Sequence, residues 1–195
     1  MRKITRISGI VAVVGIMFAA GLAPASADTV NSTVSGSGLS TTTSGATLTG
    51  VTLNGTSTQT ATGTATSVWA VTDARGTGEA WDVSVTATVP TSAAGTALGE
   101  STDRTIAVGN LTITPGTITA AAGADSATNI SAPALPMLTT PQPLISSTGS
   151  SKGTYNLTPT FSLDIPANAF RSNWPGVVGT GTLNPYISTI TYTIA

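Results

Sequence analysis

The sequence predicts an all-β fold: an antiparallel β-sandwich, with a closed, barrel-like sheet as the alternative. Three observations point there. Trp81, Val83, Val85, Ala87 and Val89 alternate with Asp82, Ser84, Thr86 and Thr88, which is the period-two pattern of a half-buried strand. Tyr155, Leu157, Pro159, Phe161, Leu163 and Ile165 alternate in the same way with Asn156, Thr158, Thr160, Ser162 and Asp164. Gly, Pro and Asn turn signals separate such runs, and no helix of three turns is indicated beyond the start of the chain.

In chain order, Arg2, Lys3 and Arg6 precede an apolar run from Ile10 to Gly21, followed by Ala25-Ser26-Ala27. A basic start, a short apolar segment and a small-residue A-x-A site make residues 1–27 a secretory signal peptide cleaved after Ala27. The other reading, a single membrane anchor, asks more length than this run has. No second apolar run, sorting pentapeptide or lipobox cysteine occurs. The expected location is therefore secreted, on the cell surface or in the cell wall, with noncovalent attachment. Residues 28–45 are Ser, Thr and Gly rich and read as a flexible leader, with room for a loose first strand at Val30 to Val34. Residues 46–195 then form a single β-domain.

Within that domain, Ala46 to Leu53 alternates weakly with a register change near Gly50, and Asn54-Gly55 is a two-residue turn signal. Thr60 to Thr72 is read as one strand carrying Trp69 and Val71. It forms a β-hairpin with Trp81 to Val89, which Pro90 ends. Thr91 to Asp103 is a loop; Arg104 to Thr114 is a strand interrupted at Gly109; Pro115-Gly116 turns the chain into a short strand at Thr117 to Ala121. Ala122 to Ser151 holds Pro133, Pro136, Pro141 and Pro143, which disfavour helix and central sheet, and reads as a long crossing loop over Leu135, Met137 and Leu138. Gly153 to Ile165 is a strand with an edge position or bulge at Pro159. Asn168 to Asn184 is a loop, and Ile187 to Ala195 is a terminal strand with Ile190, Tyr192 and Ile194 on one face.

Composition narrows the chemistry. Of seven basic residues, three lie in the signal segment, so four basic face eight acidic residues after cleavage, a net charge of −4. Such a chain does not bind nucleic acid by neutralising phosphates. With no histidine and no cysteine, disulfides, a Ser-His-Asp triad and the usual zinc, haem or copper sites are excluded. Asp73, Glu79 and Asp82 cluster around the two tryptophans. Paired carboxylates beside an aromatic platform suit glycoside hydrolysis, but the plainer reading is solvated turn and strand-face residues with Arg75 as ion partner. Their spacing is too sparse for a calcium loop. Lys152, the one lysine after cleavage, reads as a loop lysine. The expectation is a chain that is not an enzyme and holds no cofactor and no metal.

The aromatic residues carry the remaining information. Trp69, Val71, Trp81, Tyr155, Phe161 and Tyr192 lie on apolar faces and form the expected core. Trp174 sits in the loop Arg171-Ser172-Asn173-Trp174-Pro175-Gly176, where it either stacks on a sugar or plugs the end of the sandwich. The candidate ligand-binding residues are Trp174, Trp69 and Trp81.

Three segments resemble secreted proteins of the WxL-domain type from Gram-positive bacteria: Trp69 to Gly78 continuing into Trp81 to Ala87, Gly153 to Ala169, and Tyr186 to Ile194. The resemblance implies a β-rich domain that associates noncovalently with the cell wall through peptidoglycan. The family's two Trp-x-Leu motifs fall here on Trp69-Ala70-Val71 and Tyr192-Thr193-Ile194, and Ser172 to Pro185 is an insertion. The implied partners are a wall polymer or other surface proteins, with no nucleic acid and no membrane span after cleavage. The alternative is a structural or adhesive subunit that assembles by pairing strand edges, because the terminal strand lacks the lysines that blunt an edge.

Overall fold

Alternation dictates the strands. In Trp81–Ala87 every second residue is buried and the intervening polar ones are half-buried, and Trp69–Asp73 repeats the pattern. The computed structural model describes residues 32–195. The predicted signal peptide 1–27 and the first part of the predicted leader, 28–31, lie outside the described residues; 32–34, where the expected loose first strand ends, hold no strand. Within the unit Ser35–Ala195, the strands are β1 (Leu39–Thr42), β2 (Gln59–Thr64), β3 (Trp69–Asp73), β4 (Trp81–Ala87), β5 (Thr91–Ser92), β6 (Arg104–Thr105), β7 (Leu111–Thr114), β8 (Thr119–Ala120), β9 (Ile130–Ser131), β10 (Leu135–Pro136), β11 (Gln142–Ser147), β12 (Gly153–Leu157), β13 (Thr160–Ile165) and β14 (Ile190–Ile194). Short 3₁₀ turns at Val108–Asn110 and Ala127–Asn129 are the helical elements among the described residues.

All pairings are antiparallel. The strands form sheets in the orders β1-β3-β12-β8, β10-β7-β13-β2 and β14-β4-β11-β9, with a small β5-β6 pair. They pack in a sandwich-like arrangement with no closed barrel, so the predicted fold class holds and the barrel alternative does not.

The aromatic residues sit where the sheets meet. Trp69 of the first sheet is 1% exposed. Its ring packs edge-on to Tyr192 of the third sheet at 4.8 Å and to Phe161 of the second at 6.1 Å. Trp81 of the third sheet lies 6.2 Å from Tyr155 of the first. Both indole N–H groups donate to backbone carbonyls, Trp69 to Ser44 and Trp81 to Ser151, so neither is an orphan donor. Val83, Val85, Ile113, Met137, Leu144 and Ile145 fill the space between. Truncating one of the buried tryptophans to alanine costs about 3–5 kcal/mol, and a buried Ile, Leu or Met about 2–5 kcal/mol.

Several local expectations are corrected. Trp69 and Trp81 do not flank a hairpin: β3 pairs with β1 and β12, and β4 with β11 and β14. The connection crosses between sheets, which lets each sheet bury one indole from its own inner face. Leu39–Thr42, assigned to the leader, is an edge strand on β3. The run Ala122 to Ser151 is not one loop, because β11 lies inside the third sheet. Pro143 is tolerated there because a bulge follows it and β9 reaches only Ser146 and Ser147.

The long strands Thr60 to Thr72 and Gly153 to Ile165 each divide in two. β2 and β13 pair in the second sheet, then β3 and β12 pair in the first. The break falls at Thr158-Pro159 on one side and Ala65–Val68 on the other, tied by the Ala65 N–H donating to the Pro159 carbonyl at 2.9 Å. Proline has no N–H to continue the ladder, so the pair turns a corner there.

Candidate functional site

The strip Thr43–Leu53 belongs to no sheet. It lies over β2, with the Thr49 N–H donating to the Thr62 carbonyl at 2.8 Å and the Thr62 N–H donating to the Thr49 hydroxyl at 3.1 Å. Gly63 makes the approach feasible, since a Cβ there would collide with the Thr47 carbonyl. Leu48, Val51 and Leu53 are half-buried under the strip, which is what its weak alternation predicts. Asn54 ends it with an Asx turn, its Oδ1 accepting from the Thr56 and Ser57 amides, and Gly55 follows with φ of 70°.

Opposite the strip runs the segment Ala169–Tyr192. Between them lies a groove of about 1280 Å³ whose floor is Ala61, Leu111, Phe161 and Leu163. Phe170, 69% exposed, and Ile187, 62% exposed, stand on its rim. Tyr186 donates its hydroxyl to the Phe170 carbonyl at 2.8 Å, and burial pushes its pKa up against the opposing effect of Arg104. The Tyr192 hydroxyl is buried and has no hydrogen-bond partner among the described residues, and burial raises its pKa well above the usual phenol range.

A polar knot holds this wall in place. The Glu100 carboxylate, 3% exposed, accepts from Arg104 at 3.1 Å, from Arg171 at 2.7 Å and from the Trp174 amide at 2.8 Å. Burial alone would raise its pKa. The Trp174 amide and the two guanidiniums outweigh that and hold it below the usual carboxylate value. Arg104 also stacks over Phe170, 5.4 Å from the ring centroid, and donates to the Arg171 carbonyl at 2.8 Å. Asn173, fully buried, donates to the carbonyls of Ser92, Ala93 and Thr102, and its Oδ1 has no partner. Three carbonyls share two N–H donors, so the carboxamide pins the loop to the β5–β6 connection.

The predicted site residues separate. Trp69 and Trp81 are core residues, 1% and 3% exposed. As candidate ligand contacts they are corrected, since packed side chains cover both rings. Trp174 is half-buried with Arg171 stacked on its ring at 5.9 Å, and it does not line the groove. Val71, Tyr155 and Phe161 are buried as expected, and Tyr192 is half-buried against the same core. Asp73 is sealed by Arg75 at 3.0 Å, Asp82 accepts from Ser84 at 2.7 Å, and Glu79 is exposed. None of these three carboxylates lines the groove. Lys152 forms an ion pair with Asp125 at 2.7 Å. Among the described residues no group of three or more Asp or Glu gathers as metal ligands, and no helix is long and apolar enough to cross a membrane.

No model of a known protein family matches this chain, and neither a curated protein nor a solved structure matches it. Sequence reasoning missed the groove and its Glu100 knot. The available signal was Glu100 and Arg104 four residues apart in a chain with so few charges, facing the singled-out Arg171–Gly176 loop.

Proposed function

We propose that this chain is an exported, noncatalytic surface protein that associates noncovalently with the cell wall by holding wall polymer in the groove. The observation that carries this reading is the groove's chemistry. It combines an apolar floor, an exposed aromatic ring at Phe170 and a strip rich in threonine and serine hydroxyls. A pyranose presents C–H groups on its faces and hydroxyls on its rim, so it needs apolar and aromatic surface beside a few well-placed hydrogen-bonding groups. The signal-peptide pattern and the resemblance of Trp69 to Ala87, Gly153 to Ala169 and Tyr186 to Ile194 to WxL-type segments support the same reading. The noncatalytic part rests on the absence of histidine and cysteine and on carboxylates already held by partners at Asp73, Glu100 and Asp125.

The test is co-sedimentation of the chain from Asp28 onward with purified wall sacculi. The wild type pellets, Phe170→Ala pellets several-fold less, and Trp174→Ala pellets like the wild type. Wild-type protein left wholly in the supernatant overturns the reading. A second reading, assembly through strand edges, is favoured by the edge of β14 that no described strand pairs with.

A further inference from the structure

Among the described residues β14 is an outer strand, paired only with β4. Asp82 and Ala195 exchange backbone hydrogen bonds at 2.9 and 3.0 Å, and the Thr88 N–H donates to the Thr189 carbonyl at 2.9 Å. Odd-numbered residues of this strand therefore turn their amide groups toward β4. By the alternation of an antiparallel ladder, Ile190, Tyr192 and Ile194 turn theirs toward the open flank. The groove runs along that flank, with Ile190 and Tyr192 in its lining. No lysine, acidic residue or proline between Ile187 and Ala195 blunts the edge.

The strand reads the same in both directions: Ile190-Thr191-Tyr192-Thr193-Ile194. We infer that β14 is a self-complementary edge whose partner is β14 of a second copy of this chain, joined antiparallel about a two-fold axis at Tyr192. In that register Tyr192 stands opposite its own counterpart, Ile190 opposite Ile194 of the second copy, and Thr191 opposite Thr193 of the second copy. The parity fits. The residues that face one another across the axis with open amides are Ile190, Tyr192 and Ile194, so every free N–H meets a free carbonyl. A pairing shifted by one residue would set open amides against amides already bonded to β4. The exposed threonines stack as Thr–Thr pairs on the outer face, a favourable cross-strand combination. The same patch on both copies makes a closed, isologous contact rather than a fibre.

Sedimentation equilibrium of the chain from Asp28 onward, without wall material, tests this. Thr191 and Thr193 are exposed, so substitutions there leave the core intact, which circular dichroism verifies. The wild type is expected to sediment as a dimer. Thr191→Lys/Thr193→Lys places like charges opposite one another and should raise the dissociation constant about tenfold or more, about 1.4 kcal/mol per factor of ten. Thr191→Glu/Thr193→Glu should do the same, and mixing the two variants should restore dimers. Thr191→Lys/Thr193→Glu should dimerise alone, because antiparallel pairing sets opposite charges face to face. A monomeric wild type at all concentrations, like-charged variants that dimerise as the wild type does, or a mixture that stays monomeric each overturns the proposal. The dimer seam and the groove share Ile190 and Tyr192, so a second copy and wall polymer compete for that edge; the readout involves no wall polymer, so failure of the dimer leaves the wall reading standing.

Discussion

Replacing Tyr192 by phenylalanine should stabilise this protein. The ring packs edge-on against Trp69 at 4.8 Å, and phenylalanine keeps that contact. The hydroxyl is buried with no hydrogen-bond partner. Leaving such a group unsatisfied costs about 1–3 kcal/mol, so removing it should add about 1–2 kcal/mol. For a domain of this size that raises Tm by about 3–6 °C. The pH dependence gives a second reading. Burial holds the folded phenol well above its ordinary value of 10.0. Above that pH the unfolded chain releases a proton that the folded chain keeps, so wild-type stability falls as pH rises. The substituted chain lacks this ionisation, and its advantage should widen from neutral pH to about pH 10.5. Urea unfolding followed by tryptophan fluorescence at both pH values measures it. A phenylalanine variant less stable by a kcal/mol at pH 7, or an advantage that does not grow with pH, refutes the reasoning.

Other substitutions probe the rest of the fold. Asp73→Asn should cost about 1–3 kcal/mol at neutral pH. The Arg75 side chain donating to the carboxylate, against the effect of burial, holds its pKa below the ordinary 3.8. That stabilisation is present above pH 3.8 and is lost as pH falls through the lower folded value, so urea midpoints of the two chains should converge in acid. Gly95→Ala should loosen the Trp174 loop, because the new methyl group would be driven into the Trp174 carbonyl; faster amide exchange at Trp174 and Asn173, with β4 unchanged, is the expected result. Met137→Ala, at a fully buried position, should cost about 2–5 kcal/mol in thermal unfolding.

The strands were legible because burial on one face imposes alternation residue by residue. Trp81–Ala87 and Thr160–Ile165 show it plainly. Pairing was not legible. Alternation says which way Trp69 and Trp81 point, but not that they belong to different sheets. Nor does it register a corner, since the apolar rhythm of Tyr155 to Ile165 carries on through Pro159 while the hydrogen bonds change partners. Pro143 misled in the opposite direction: a local rule excluded a central strand, and a bulge with a short neighbour accommodated it. The groove was hidden for a further reason. Its floor comes from β2, β7 and β13, its walls from the Thr43–Leu53 strip and the Ala169–Tyr192 segment, and only the folded topology brings them together. The role of Glu100 was not legible within the Thr91 to Asp103 loop, because its guanidinium partner Arg171 and the Trp174 amide lie more than seventy positions away along the chain.

The turn at Ala65 and Pro159 has a consequence for how the molecule comes apart. Two neighbouring segments pass together from one layer into the next, so their ladders are continuous in sequence on both sides of the bend. Neither layer can fray fully without pulling on the other through the same pair of strands. Heat or denaturant should therefore meet one cooperative transition across both layers, with tryptophan fluorescence and far-ultraviolet dichroism changing together.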